Sequence, residues 1–257
     1  MKSAYLTIDD APSRDFAAKM EFLHRHGIPA LFFCEGRFIQ QSEPVLVAAV
    51  ELGFLLGNHS FSHPHFSDLS VEECRQEILR TDELIEQVYS RAGLARPAKY
   101  FRFPYFDAGG DASGLAYEAK WSRQASEWSR FEFDAKRKGL QGYLWELGYR
   151  QPQFVGINLK YFGDPTLLTG VDVRCTYDQV EYWLDEANAP WGLSTEAAIL
   201  GRIEEDSPYE GSALNCADTA DIILVHDHEK TTNLFYRIVE RYLEKGIEFL
   251  PIPGKGR

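Results

Sequence analysis

Short apolar segments alternate with segments of helical periodicity from residue 4 to about residue 93, and no other sequence feature limits the fold as strongly. Residues 4–8 and 29–34 have the apolar character of buried strands, whereas residues 13–26 and 43–52 carry apolar side chains at helical spacing. A strand, a helical crossover and a second strand make the two strands parallel. The sequence therefore predicts an α/β protein, either an open doubly wound sheet or a barrel.

The composition limits the possible classes of protein. With 257 residues and 44% hydrophobic content, the chain suits one domain that spans residues 1–257. The net charge of -12 argues against nucleic acid or an anionic membrane as partner, because both require a basic surface. No apolar run approaches the length of a membrane span and no signal-peptide pattern precedes the first strand, so we expect a cytoplasmic protein, although a chain trimmed of its signal would look the same. The four widely spaced cysteines are expected to be free thiols: Cys34, Cys74, Cys175 and Cys216.

Farther along the chain, the patterns predict further elements. Ser70 and Glu73 form a capping box, which predicts a long helix that ends near Gly93. We expect helices over residues 140–147, 180–187 and 233–245, and strands over residues 154–159, 171–176, 222–225 and 247–250. The aromatic-rich segment between residues 106 and 139 suits an amphipathic helix on the core or, alternatively, an aromatic wall beside a site.

Side chains that can carry chemistry follow several of the predicted strands. Parallel α/β proteins bind ligands at the carboxyl ends of their strands, so these side chains are expected to meet. They are Asp9 and Asp10, His59 and His63, Arg102, and His226. On a helical turn, the four-residue spacing of His59 and His63 would put both imidazoles on one face, where they could share a cation. That spacing alone is equally typical of a solvated turn.

Four motifs in the same order resemble those of the polysaccharide deacetylase family, the NodB homology domain of carbohydrate esterase family four. Residues 7–12, T-I-D-D-A-P, resemble the family pattern T-F-D-D-G-P, and residues 59–63, H-S-F-S-H, match H-S/T-x-x-H. Residues 102–105, R-F-P-Y, match R-x-P-F/Y, and residues 224–226, L-V-H, match L-x-H. The resemblance extends from residue 5 to residue 250 and implies a distorted (β/α) barrel, often with seven strands.

The resemblance also implies a role for each matched residue. Asp10, His59 and His63 would bind one divalent metal ion, Zn²⁺ first and Co²⁺ or Ni²⁺ as alternatives. Asp9 would be the general base and Arg102 would hold it. The backbone N–H of Tyr105 would help to bind the oxyanion. Leu224 and His226 would form the acetate pocket, and His226 would also be the general acid. The chemistry is consistent with these roles, because an amide needs a polarised carbonyl, an activated water and a protonated leaving amine.

Three positions depart from the family pattern. Ala11 replaces a glycine, so the loop after Asp10 must differ if that position needs a positive φ. Phe106 stands where a glycine commonly follows the third motif, and its ring is expected to narrow the cleft. The aspartate of the family's aspartate–tryptophan motif, which supports the catalytic histidine, has two rival candidates, Asp172 and Asp178. We favour Asp172, because the predicted strand that carries it also presents Arg174 on the same face.

Three functions remain open at this point. The first is a metal-dependent hydrolase that removes acetyl groups from N-acetylated sugars. The second keeps the same machinery and acts on another small C–N amide or an N-formyl sugar in the cytoplasm. The third is a catalytically silent carbohydrate-binding domain. Phe106 and the aromatic-rich segment favour short substrates, whereas the oligomeric state is not indicated by the sequence.

Overall fold

The computed structural model describes residues 1–109, 130–157, 170–208 and 211–253. Its centre is a parallel sheet whose strands appear in the order β3-β2-β1-β5-β4, with β6 paired to the beginning of β1. The strands are β1 Ser3–Ala11, β2 Ala30–Cys34, β3 Leu55–Asn58, β4 Tyr177–Asp178, β5 Ala220–His226 and β6 Glu248–Phe249. The predicted α/β class with parallel strands is confirmed. The described ranges contain six strands, so seven strands stays a prediction.

Helices connect the strands and cover the sheet. They are α1 Phe16–Arg25, α2 Gly36–Ile39, α3 Glu43–Glu51, α4 Val71–Arg91, α5 Arg130–Glu146, α6 Glu196–Gly201 and α7 Thr232–Glu244. Strand β2 is buried at all five positions, as expected for a parallel strand with a layer on each face. The Phe16 ring of α1 packs edge-on against Phe32 of this strand, with ring centroids 4.8 Å apart. Helix α7 turns its apolar stripe, which includes Phe235 and Ile238, onto the same core.

The capping box prediction is confirmed at the start of α4. The Ser70 side chain accepts a hydrogen bond from the backbone N–H of Glu73, and the Glu73 carboxylate accepts one from the backbone N–H of Ser70. These two bonds satisfy amide groups that have no partner within the first turn of a helix. The four cysteines are free, as expected. Among the described residues, no helix is both long and apolar enough to cross a membrane.

Two element predictions are wrong for reasons that involve tertiary structure. Residues 180–187 form only a single 3₁₀ turn, Glu181–Trp183, because Val180 and Asp185 have φ angles of 54° and 62°, which interrupt a right-handed helix. Residues 171–176 form no ladder, and the strand begins only at Tyr177. Within this segment, the carbonyl oxygen of Val173 accepts a hydrogen bond from the Arg102 side chain at 2.9 Å. The Arg102 side chain therefore occupies a carbonyl oxygen that would otherwise accept a hydrogen bond from a neighbouring strand.

Two further predictions fall partly outside the described residues. The expected strand over residues 154–159 is represented by an isolated parallel bridge between Ile157 and Ala220, and its last two positions are not described. Most of the aromatic-rich segment also lies outside the described residues, because they exclude 110–129. Neither the amphipathic helix nor the aromatic wall is tested there.

Candidate metal and catalytic site

The ends of the central strands bring the predicted site residues together. In the parallel register of β1 and β5, Asp9 lies opposite His226. In the register of β2 and β3, Cys34 lies opposite Asn58. Asn58 is the last residue of β3, and His59 follows it directly. The carboxyl ends of adjacent parallel strands share one edge of the sheet. Sheet register alone therefore places Asp9, Asp10, His59 and His226 at that edge.

Asp10, His59 and His63 form a compact group. The Oδ1 atom of Asp10 is 3.5 Å from Nε2 of His59 and 3.1 Å from Nε2 of His63. The sequence leaves a helical turn and a solvated turn open between the two histidines. The helical turn is not formed, because Ser60 and His63 have φ angles of 65° and 58°. A turn with two left-handed residues, rather than helical spacing, directs both imidazoles toward Asp10.

The donor atoms of this group fit a divalent cation. The Nδ1 atom of His59 is 2.8 Å from the carbonyl oxygen of Arg102, so this nitrogen carries the proton and Nε2 is left with its lone pair. The Oδ1 atom of Asp10 is buried and has no hydrogen bond of good geometry. A buried oxygen without a hydrogen bond requires an explanation, and a cation between two imidazole nitrogens and one carboxylate would provide it.

His228 makes the shortest contact with Asp10 and is not among the predicted site residues. Its Nε2 atom is 2.6 Å from Oδ2 of Asp10. Burial raises the pKa of Asp10, but His228, His59 and His63 together outweigh it and hold this pKa well below the ordinary value. Asp10 is therefore ionised, as a metal ligand must be.

Asp9 is held by Arg102, as the resemblance implies. The Arg102 guanidinium is fully buried and donates hydrogen bonds to Oδ1 of Asp9 at 2.6 Å and to the Thr7 hydroxyl at 3.0 Å. The second oxygen of Asp9, Oδ2, is 3.5 Å from Nε2 of His59. One Asp9 oxygen is thus fixed by the guanidinium, while the other lies beside the candidate metal ligands.

His226 is paired with Glu181, which the sequence analysis does not identify. Oε1 of Glu181 is 3.2 Å from Nδ1 of His226 and also accepts a hydrogen bond from the His226 backbone N–H. Glu181 is completely buried. Burial lowers the pKa of His226, but the charge and hydrogen bond of Glu181, with smaller effects of Asp178 and Asp10, raise it to about 10. His226 is therefore an imidazolium at neutral pH in the metal-free protein.

The two aspartates considered as supports for His226 have other contacts. Oδ1 of Asp172 accepts a hydrogen bond from the Gln141 side chain at 2.7 Å. Oδ1 of Asp178 accepts one from the backbone N–H of Val180 at 2.9 Å, although its carboxylate lies in the same cluster as Glu181 and His226. A sequence signal for Glu181 does exist, because Glu181-Tyr182 is an acid followed by an aromatic residue, like the family's aspartate–tryptophan pair. The Tyr182 ring also packs edge-on against His226, with centroids 4.9 Å apart.

The loop after Arg102 forms another wall of the site. Tyr105 and Phe106 both have a φ of 55°, and the Tyr105 ring stacks on His65 at a centroid distance of 3.9 Å. The Phe106 ring is only partly exposed and packs with the cluster that contains Leu224, which is itself buried. Ala11, which replaces a glycine of the family pattern, does not have a positive φ; Asp10, one position earlier, has a φ of 61°.

Comparison with known protein families agrees with the first three of the four motifs, which lie before residue 120. Residues 1–120 match the family model described as polysaccharide deacetylase. This match confirms, over the first 120 of the 257 residues, the resemblance that the motifs indicate.

Two curated relatives have sequences similar to part of this chain. A peptidoglycan-N-acetylglucosamine deacetylase of Bacillus cereus is 29% identical over 129 residues, which cover 48% of this chain and 43% of that protein. A chitooligosaccharide deacetylase of Sinorhizobium fredii is 28% identical over 140 residues, which cover 52% of this chain and 63% of that protein. The match thus spans less than two thirds of the length of each relative.

Solved structures extend the likeness to almost the whole chain. A family 4 carbohydrate esterase from Streptomyces lividans, in complex with acetate, has a TM-score of 0.59 and 21% identity, and covers 99% of this chain and 95% of that one. A pseudoenzyme of the same esterase family from Bacillus anthracis has a TM-score of 0.56 and 18% identity, and covers 96% of this chain and 62% of that one. At such identities the likeness shows the fold alone, the NodB-like distorted barrel.

Proposed function

We propose that this chain is a metal-dependent hydrolase that removes the acetyl group from an N-acetylated sugar. The observation that carries the proposal is the placement of Asp9 and His226 on paired strand ends beside the group formed by Asp10, His59 and His63. This arrangement combines a base, an acid and a candidate cation site within one edge of the sheet.

The cation would be held by Asp10, His59 and His63, with Zn²⁺ as the first choice and Co²⁺ or Ni²⁺ as alternatives. Once bound, such an ion supplies Lewis acidity toward the acetyl carbonyl and increases the acidity of a water molecule. Asp9 accepts the proton of the attacking water. Its bond to Arg102 leaves one carboxylate oxygen, Oδ2, available for this transfer.

His226 donates a proton to the departing amine. Its pairing with Glu181 keeps the imidazole protonated before the reaction, which a general acid requires. The backbone N–H of Tyr105 stabilises the developing oxyanion, and the packed side chains of Leu224 and Phe106 receive the acetyl methyl group. Asp178, which lies in one cluster with Glu181 and His226, acts in this scheme only through the structure around His226, and Asp172 has no step in it.

The substrate class rests on the relatives. Their names specify peptidoglycan and chitooligosaccharides, both of which contain N-acetylated sugars. A small amide or an N-formyl sugar requires the same groups and is the alternative substrate. The pseudoenzyme among the similar structures supports keeping the silent binding domain as a second candidate function.

The decisive experiment measures release of acetate and formate from chitooligosaccharides, peptidoglycan fragments and small amides, with Zn²⁺ supplied. Loss of a general base lowers turnover by about 10²- to 10⁴-fold, so we expect this decrease in kcat for Asp9→Asn. Asp218→Asn is the matched control, because Asp218 is exposed and contacts only the N-terminus among the described interactions. Sugar binding without any acid release, in wild type and variant alike, would instead identify a silent binding domain.

A further inference from the structure

The two oxygens of Asp10 have different surroundings. Oδ1 faces His59 and His63, and it has no hydrogen bond of good geometry. Oδ2 faces His228, whose Nε2 atom is 2.6 Å away. One oxygen of this carboxylate is therefore directed toward the candidate cation site, while the other is occupied by an imidazole.

The direction of this hydrogen bond follows from the chemistry of its partners. An ionised carboxylate only accepts hydrogen bonds, so Nε2 of His228 must carry the proton and donate it. A nitrogen that carries a proton has no lone pair for a metal, which separates His228 from the two histidines that offer Nε2 as a ligand atom. His228 thus contacts the candidate site through Asp10.

We propose that His228 is a positioning residue that holds Asp10 with only Oδ1 turned toward the cation, and that it thereby increases the affinity for Zn²⁺. The inference rests on the proposed metal centre at Asp10, His59 and His63. Hydrogen bonds to a ligating carboxylate fix its orientation, and removal of such a partner costs about 10- to 100-fold in metal affinity. With Oδ2 held by His228, the carboxylate binds through one oxygen and leaves more of the coordination sphere open.

The backbone of His228 is held by a buried ion pair. Nζ of Lys19 is 2.6 Å from Oδ1 of Asp227 and donates a second hydrogen bond to the carbonyl oxygen of His228 at 3.1 Å. The Asp227 carboxylate also accepts hydrogen bonds from the backbone and hydroxyl groups of Ser13, both at 2.7 Å. The Asp227 backbone N–H donates to the carbonyl oxygen of Asp9 at 2.8 Å. This network ties the segment that carries His228 to the strand end that carries Asp10.

The side chain of His228 is 38% exposed, so it can be replaced without opening a cavity in the core. This exposure makes His228→Ala a test of the hydrogen bond rather than of folding. His228→Gln is the matched rescue variant, because the glutamine amide can donate a similar hydrogen bond and is a poor ligand for Zn²⁺. His24→Ala is the control for loss of a histidine, because His24 is exposed on α1.

The experiment titrates metal-free full-length protein with Zn²⁺ against a chromophoric chelator, which measures affinity without any assay of activity. We expect His228→Ala to bind Zn²⁺ about 10- to 100-fold more weakly than wild type. We expect His228→Gln to recover most of this loss and His24→Ala to bind as wild type does. Thermal unfolding of each metal-free variant verifies that the fold is retained.

The possible results separate the proposal from the metal centre on which it rests. Wild-type affinity in His228→Ala would overturn the role of His228 and leave the metal centre intact. An equal loss in His228→Ala and His228→Gln would also overturn it, because His228 would then act as a ligand rather than as a donor to Asp10. If wild-type protein and His59→Ala bind Zn²⁺ alike, the metal centre itself is wrong and the proposal falls with it.

Discussion

Asp10 and Asp82 are two largely buried carboxylates with opposite kinds of surroundings. Oδ1 of Asp82 accepts hydrogen bonds from Arg96 and from the Tyr149 hydroxyl, and Oδ2 accepts one from Lys99, all at 2.6 Å. Asp10 is surrounded by imidazoles, has one oxygen without a hydrogen bond of good geometry, and has a φ of 61°. The first carboxylate is fully satisfied by the chain, and the second is not.

The difference lies in the source of the positive charge. Burial raises the pKa of Asp82, but Arg96 and Lys99 outweigh it and lower this pKa. Both cations belong to the protein and are present whenever it is folded. Around Asp10 the partners are histidines, and the two that face Oδ1, His59 and His63, can bind a metal ion as neutral imidazoles. A carboxylate whose oxygens are all bound by arginine and lysine side chains stabilises the fold. A carboxylate with one oxygen that lacks a hydrogen bond of good geometry is available to bind a metal ion.

The two regions are also physically joined. The Tyr149 hydroxyl that contacts Asp82 accepts a hydrogen bond from Nδ2 of Asn58 at 2.8 Å, and Asn58 directly precedes His59. Oδ1 of Asn58 accepts a hydrogen bond from the backbone N–H of Ser60 at 2.9 Å. The satisfied cluster therefore helps to hold the turn that presents His59.

The strongest test of this comparison is Asp10→Asn. Removal of a partner that only orients a ligand already costs about 10- to 100-fold, so loss of the ligand charge itself should weaken Zn²⁺ binding by more than about 100-fold. The metal-free protein should lose less stability than with Asp82→Ala, because asparagine tolerates a positive φ and its amide oxygen can still accept the hydrogen bond from His228. Zn²⁺ titration and thermal unfolding measure the two quantities. A large loss of metal-free stability would show that Asp10 is as structural as Asp82.

Asp82→Ala should have the opposite profile. Removing one partner of a buried ion pair costs about 3–5 kcal/mol, because Arg96 and Lys99 would keep their charges without compensation. Denaturant unfolding should show this decrease, while the Zn²⁺ affinity of the folded protein should fall far less than in Asp10→Asn, because Asp82 is linked to His59 indirectly, through Tyr149 and Asn58. Glu86→Gln is the control, because Glu86 is exposed on the same helix and lies 4.0 Å from Arg96. Exposed pairs contribute at most about 1 kcal/mol, so a similar loss in both variants would refute the distinction.

The sequence predicts the parts of the site that depend on order along the chain. Strand alternation and four motifs are sufficient to bring Asp9, Asp10 and His226 to one edge of a parallel sheet, as the register of β1 and β5 confirms. The sequence does not predict the turn that joins His59 to His63, because it leaves a helical and a solvated turn open and does not indicate the left-handed φ angles of Ser60 and His63. Backbone conformations of this kind are fixed by contacts distant in sequence.

Glu181 is missed by the periodicity of its segment for a related reason, although the Glu181-Tyr182 pair gives a sequence signal. Its segment has the apolar spacing of a helix, and only the positive φ of Val180 turns the Glu181 side chain toward His226 instead. The same limit applies to residues 171–176, where strict alternation predicts a strand but the Arg102 side chain binds the carbonyl oxygen of Val173. Local patterns indicate the secondary structure that a segment favours. In these two segments, contacts with the charged side chains of His226 and Arg102 accompany a different backbone conformation.

Glu181→Gln should have the smallest effect on turnover at neutral pH. It extends the comparison of Asp10 with Asp82 to His226, a histidine whose partner is a buried carboxylate. Glu181 raises the pKa of His226 to about 10, so the wild-type pair contributes stability in full below the ordinary histidine pKa of about 6.5 and loses it as pH rises to about 10. In Glu181→Gln this contribution should be lost, and only the smaller effects of Asp178 and Asp10 would still raise the pKa of His226. NMR titration of the His226 ring in metal-free protein should then show a lower pKa than in wild type. The alkaline limb of the kcat profile should also move to lower pH, because the general acid loses its proton at a lower pH.

Turnover of Glu181→Gln at pH 6 should fall far less than turnover of His226→Ala, since the His226 imidazole is still largely protonated at this pH. An unchanged His226 titration would mean that Asp178 and Asp10, rather than Glu181, set its charge, and it would return the choice of supporting carboxylate to Asp178.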